Sequence, residues 1–262
     1  MAGDCALRLG DSVKGGRAIV LLHGYLESLD VWEDFVPLLG RHYRVLAPDL
    51  PGHGISQVKG PVHTMEFLAD TVVKAMNVAG VEKFLAVGHS MGGYVTMELL
   101  RKYPDRLSGI VLMHSTPNAD SPDKKEQRLR EIALVDEGKK ELLARMSPEK
   151  GFAPENRQRF ARQIEELSEQ AVLTEDEGIK AILRGMMERR DNNQTMRESK
   201  VPQLIILGRH DEHIPVETAE KMIEAQPQAR VVWLDNCGHT SYIENPEGCA
   251  SAILSMADDI AW

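Results

Sequence analysis

The stretch Phe84-Leu85-Ala86-Val87-Gly88-His89-Ser90-Met91-Gly92-Gly93 runs from apolar residues into a glycine-flanked serine, and helical spacing follows from Tyr94 to Lys102. Strand, sharp turn and helix is the context in which G-x-S-x-G carries chemistry, because the turn lifts the serine hydroxyl clear of the backbone. Glycines two positions either side suit a chain that passes close to itself. The following helix aims its unpaired N–H groups, and the positive end of its dipole, at any charge forming beside the hydroxyl. Ser90 therefore reads as a nucleophile. A serine hydroxyl is weak at its own pKa and needs a base within hydrogen-bond reach. His239, closing Asp235-Asn236-Cys237-Gly238-His239, offers an imidazole that can take that proton and return it to a leaving group. Asp211, in Gly208-Arg209-His210-Asp211, would hold that imidazole in one tautomer and stabilise the imidazolium, with Glu212 and Asp120 as rival acids. The oxyanion of a tetrahedral intermediate needs donors, and the backbone N–H groups of Met91 and of Tyr25, just after His23-Gly24, are the candidates.

Elements must bring these residues together. Apolar runs at 18–22, 43–47, 84–87, 107–113, 201–207 and 230–234 alternate with helical patterns at 30–39, 64–79, 94–102, 216–225 and from Pro246 onward. Short apolar runs bounded by turn residues predict strands buried on both faces. The alternation predicts an α/β architecture: a mostly parallel central sheet flanked by helices. Ligands in such sheets sit beyond the carboxyl ends of the strands, where His23-Gly24-Tyr25, Ser90, Asp211 and His239 all fall. From 118 to 200 the character changes, with dense Lys, Arg, Glu and Gln and no strand-like run. This segment is expected to be an inserted helical lid between two parts of the core, 1–117 and 201–262. Pro148, Gly151 and Pro154 should break it near its middle. Its charges should form a solvated outer face, and its apolar face should cover the site. At the start, Cys5 to Leu9 is expected to be a short edge strand.

With 42% hydrophobic and 27% charged residues, the 262-residue chain has the balance of a globular domain. A net charge of −9 and the lack of a basic stripe argue against nucleic acid and against anionic membrane surfaces. Cys5, Cys237 and Cys249 are scattered without metal-ligand spacing, which points to a reducing compartment. No leader pattern or long apolar run is present, so the cytoplasm is the expected location. His210 and His213 flank Asp211 without a third convergent ligand, so no metal is expected. Trp32, His114, Met186 and Met187 are candidates to line an acyl pocket. His53 and His89 read as structural residues with main-chain partners.

His23-Gly24, the Asp49-Leu50-Pro51-Gly52-His53-Gly54-Ile55-Ser56 loop, Gly88 to Gly93, Gly208 to Asp211, and Gly238-His239 before Glu244-Asn245-Pro246-Glu247 together resemble the α/β-hydrolase superfamily over nearly the whole chain. The leading strands look shortened. The resemblance implies a Ser90–Asp211–His239 triad in the family's chain order and hydrolysis of small to medium carboxylic esters through an acyl-enzyme, without a cofactor. Ser90 stands where the family's epoxide hydrolases and haloalkane dehalogenases carry aspartate, which excludes both. The short lid is similar to those of carboxylesterases, methyl-ester esterases and carbon–carbon bond hydrolases. Cleavage of a C–C bond, perhydrolysis, and a small-molecule receptor retaining the fold therefore stay open.

Overall fold

The computed structural model describes residues 6–12 and 16–262. Seven strands, β1 (Leu9–Asp11), β2 (Ala18–Leu22), β3 (Arg44–Pro48), β4 (Phe84–His89), β5 (Leu107–Met113), β6 (Gln203–Gly208) and β7 (Arg230–Leu234), form one sheet in the order β1-β3-β2-β4-β5-β6-β7. Only β1 is antiparallel, pairing Leu9 with Pro48; the other pairings are parallel. The edge strand thus begins at Leu9, where the expected one ended, and Cys5 lies outside the described residues. Every residue of β2, β4, β5 and β6 is buried, which is why these strands read as unbroken apolar runs. The chain leaves β2 outward to β3, then crosses back to β4. The strand order therefore reverses beside the carboxyl ends of β2 and β4, the usual place for a ligand crevice.

The helices are α1 (Val36–Leu39), α2 (Met65–Val78), α3 (Met91–Lys102), α4 (Pro122–Asp136), α5 (Lys140–Gly151), α6 (Ala161–Leu173), α7 (Asp176–Glu188), α8 (Asn193–Glu198), α9 (Val216–Ala225), α10 (Ser241–Glu244) and α11 (Pro246–Asp259). Alternate strand residues face opposite ways. Val20, Leu22, Ala86 and Leu112 pack with residues of α2 and α3, whereas Ile19, Leu21, Leu85 and Val87 pack with Ile253 and Met256 of α11. The helical pattern at 30–39 becomes a 3₁₀ turn, Leu29–Trp32, and the single turn α1. Pro37 fits only a helix start, so the helix begins afresh at Val36.

Between β5 and β6 the regular structure is helical throughout, α4 to α8. Here α7 turns Ile179, Ile182, Leu183 and Met186 inward at helical spacing. Pro148 does not break this segment: it lies inside α5, and the interruption comes after Gly151. Pro148 falls in the last turn, so its missing N–H removes little more than the bond to the Ala144 carbonyl. No helix among the described residues is long and apolar enough to cross a membrane.

Candidate active site

Ser90 follows β4 and precedes α3 with φ 50° and ψ −115°, a conformation in which L residues are strained. Its N–H bonds to the Met113 carbonyl at 3.0 Å, and its carbonyl accepts from Gly93 N–H at 2.9 Å and from Ser115 Oγ at 2.7 Å. A Cβ on Gly88 would strike the Gly92 carbonyl, and one on Gly92 would strike the Leu22 carbonyl. The glycines are thus required by contact between β4, α3 and the end of β2. Among the described residues, the non-glycine positions with positive φ are Leu26, Ser90 and His114, following β2, β4 and β5. Backbone strain is concentrated at one edge of the sheet.

His239 leaves the loop after β7 and donates Nδ1–H to Asp211 Oδ2 at 2.8 Å. Neither rival acid touches it: Asp120 engages Arg128 and Arg189, and Glu212 pairs with Arg157 at 2.8 Å. Asp211 Oδ1 accepts the N–H groups of His213 at 2.8 Å and Ile214 at 3.0 Å. Burial alone would raise the Asp211 carboxyl, but the neighbouring charge of His239 and the His114 hydrogen bond hold it well below the usual carboxylate range. Asp211 Oδ2 also meets His114 Nδ1 at 3.1 Å, while His114 Nε2 faces Ser241 Oγ at 2.6 Å. Burial pushes His114 down to about 4, so it is neutral, donating from Nδ1 and accepting at Nε2. The ligand atoms of His114, Asp211 and His239 lie within 4.8 Å of one another, a spacing a cation would tolerate. Both Nδ1 atoms are already committed to the same carboxylate oxygen, however.

Ser90 and His239 line the same cavity, and Ser90 Oγ makes no hydrogen bond to another described residue. The N–H groups of Tyr25 and Met91 likewise donate to no described residue. A buried pair braces this arrangement. His89 Nδ1 meets Glu27 Oε2 at 3.1 Å, and its Nε2 meets the His239 carbonyl at 2.9 Å. Both partners accept only, so His89 carries both ring protons and a positive charge. Burial works against that charge, but Glu27 outweighs it and raises His89 above its ordinary value. Burial would likewise raise Glu27. The His89 charge and hydrogen bond, with the Gly24 N–H at 2.6 Å, bring its carboxyl down to about 2. Glu27 Oε1 accepts from Tyr242 at 3.0 Å. One ion pair therefore ties together the turn after β2, the serine turn and the His239 loop.

Comparison with known proteins agrees with this geometry. A family profile described as alpha/beta hydrolase fold matches residues 17–134, and one described as TAP-like protein matches residues 184–256. The 2-hydroxy-6-oxo-6-(2'-aminophenyl)hexa-2,4-dienoic acid hydrolase of Metapseudomonas resinovorans is 30% identical, over 97% of this chain and 88% of its own length. The chain belongs to the alpha/beta hydrolase superfamily. The pimeloyl acyl-carrier-protein methyl ester esterase of Aromatoleum aromaticum is 25% identical, over 90% of this chain and 96% of that protein. Among solved structures, a thermophilic esterase from Thermogutta terrifontis superimposes with a TM-score of 0.93 at 31% identity, covering 98% of this chain and 94% of the other.

In this hydrolase the cavity beneath α4 to α7 measures about 540 Å³. Leu134, Leu142, Leu143, Met146, Met186 and Ile214 supply apolar wall. Of the expected pocket residues, Met186 takes part; Tyr25, expected as an oxyanion donor, also lines the cavity. Trp32 is fully buried on the opposite face of the sheet, with its ring 4.8 Å from that of Tyr242. Met187 packs against the core instead, and His114 lies behind Asp211. A strand end at the right edge did not guarantee exposure, because the positive φ at His114 turns its ring inward. His53 also departs from expectation: its ring is buried and neither nitrogen has a hydrogen-bond partner among the described residues. Asp49 supports its loop, accepting from Leu29 N–H at 2.7 Å and Ile55 N–H at 3.3 Å. Cys237 and Cys249 are free and buried, and burial pushes each thiol up to about 12.

The residues that sequence reasoning missed are Glu27, Glu244 and the paired role of His114. Glu244 accepts from Gly238 N–H at 2.7 Å, Ala153 N–H at 2.9 Å and Asn156 Nδ2 at 2.8 Å. The Gly151 carbonyl accepts from the N–H groups of His239 at 2.6 Å and Thr240 at 3.0 Å. The helical segment is thereby sewn to the loop that carries His239.

Proposed function

We propose that this hydrolase cleaves small to medium carboxylic esters through an acyl-enzyme on Ser90. Ser90 Oγ attacks the ester carbonyl while His239 Nε2 takes its proton. Asp211 holds Nδ1–H and stabilises the resulting imidazolium. The N–H groups of Tyr25 and Met91 receive the oxyanion, each worth about 3 kcal/mol of transition-state stabilisation. His239 then protonates the departing alkoxide, and water, activated by the same imidazole, releases the acid. The bond from Ser90 to His239 closes in the substrate complex, since catalytic hydrogen bonds are commonly loose in free enzymes. The segment 118–200 serves as a cap that keeps bulk water from the reacting carbonyl. The observation that carries this reading is the 2.8 Å bond from His239 to Asp211, placed in one cavity with a serine on a strained turn and two unengaged N–H donors.

The test is labelling by a fluorophosphonate probe. Wild type should label, and Ser90→Ala should not, while its melting temperature stays close to wild type. Labelling that survives the substitution removes Ser90 from this role. A second reading, C–C bond cleavage, is favoured by the name of the Metapseudomonas resinovorans relative. A chain-length series of p-nitrophenyl esters run beside a vinylogous diketone separates the two: turnover of the diketone alone would reverse the choice.

A further inference from the structure

Part of the cavity wall carries more buried positive charge than its own carboxylates neutralise. Arg128 and Arg189, both largely buried, share the single carboxylate of Asp120, which is fully buried. Arg128 Nε bonds to Oδ2 and Nη2 lies 3.3 Å from Oδ1, while Arg189 Nε bonds to the Asn118 carbonyl at 2.9 Å. Arg128 Nη1 has no hydrogen-bond partner among the described residues, although the whole residue is only 5% exposed. The other nearby carboxyl, Glu131, is raised above its ordinary value by burial against the pull of Arg128, and its Oε2 is unpartnered. Lys124 adds a third cation to the wall, held below its ordinary pKa by burial and then by Arg128. Two guanidiniums on one carboxylate leave a net positive charge in a low-dielectric wall, a costly arrangement unless an anion compensates it. All five side chains line the cavity onto which Ser90 and His239 open. The protein as a whole is acidic, with a net charge of −9, so this wall opposes the overall charge.

Building on the esterase reading above, we propose that the substrate bears a carboxylate at the end remote from its ester, and that Arg128, backed by Arg189 and Lys124, binds it. The class is a monoester of a dicarboxylic acid. Guanidinium suits this task because its planar fork meets a carboxylate in fixed geometry and stays charged when desolvated.

The experiment pairs monomethyl succinate, glutarate and adipate with methyl butanoate, pentanoate and hexanoate, following methanol release, with fluorophosphonate labelling of the same preparations. At the best chain length, kcat/KM for the charged ester should exceed that of its neutral partner by about tenfold or more, mainly through KM. Arg128→Gln, and separately the half-buried Lys124→Met should Arg128→Gln fail to fold, should bring that ratio toward one. A neutral ester cleaved as well as its charged partner, or a preference that survives the substitutions, overturns the inference and leaves the esterase standing. Hydrolysis of neither series by a protein whose Ser90 still labels also overturns it. Loss of labelling in wild type removes the reading on which it rests.

Discussion

A histidine flanked by two acceptors must hold two protons, and that requirement makes His89 the electrostatic centre of the site. Its charge is matched by Glu27, and the two titrate in opposite directions. Glu27, lowered from 4.5 to about 2, contributes stability that is present above 4.5 and lost as pH falls toward 2. His89, raised above 6.5, contributes stability that is complete below 6.5 and lost as pH rises through its folded value. Their joint contribution is therefore greatest between 4.5 and 6.5. Glu27→Gln should cost roughly 3 kcal/mol within that window, because it leaves a buried imidazolium without its counter-charge. Urea unfolding of both proteins across pH checks this; a difference that does not shrink on either side defeats it. The proposed site residues Ser90, Asp211 and His239 stand out in the sequence because each sits in a local pattern of glycines and strand ends. Glu27 does not, because its partner His89 lies 62 positions away and nothing around Glu27 marks it as buried.

The strands were legible for a physical reason. Burial on both faces writes a continuous apolar run, so β2 and β5 were read with their observed bounds. A short helix beside a proline writes a weaker signal, and the pattern at 30–39 resolved into two single turns. One tight element-level constraint is the crossing of β4, α3 and the end of β2. Gly92 packs there with no room for a methyl group, since the obstructing atom is the Leu22 main-chain carbonyl rather than a movable side chain. Gly92→Ala should shift α3 away from β2, displace the Met91 N–H, and lower kcat by about a hundredfold or more, the scale of a lost oxyanion donor. Steady-state kinetics on the best ester of the series reads this, and a kcat within a few-fold of wild type contradicts it.

Across the whole molecule, the change in composition after residue 117 marked the helical segment, yet the same charges concealed what it does inside. The expectation of a solvated outer face holds for pairs such as Arg162 with Glu166, but Asp120, Arg128 and Arg189 are buried against the cavity. Sequence periodicity treats a charge as exposed unless its partners are known, and Arg189, at the end of α7, lies 69 positions from Asp120. The attachment of this segment to the His239 loop was equally hidden, because it runs through main-chain groups and one buried carboxylate. Glu244 satisfies Gly238 N–H on the core side and Ala153 N–H and Asn156 Nδ2 on the other. Glu244→Ala leaves two buried N–H groups without acceptors, at about 1–3 kcal/mol each. The stability loss should therefore exceed about 2 kcal/mol. The His239 loop should loosen with it, since its remaining anchors to this segment are the Gly151 carbonyl and the bond from Asn156 Nδ2 to the Asn236 carbonyl at 2.8 Å. Limited proteolysis should then cut between α5 and α6 in the variant and spare wild type, and kcat should fall while fluorophosphonate labelling slows rather than vanishes. A variant as protease-resistant and as stable as wild type would mean that the packing of α4 to α7, not this carboxylate, holds the segment in place.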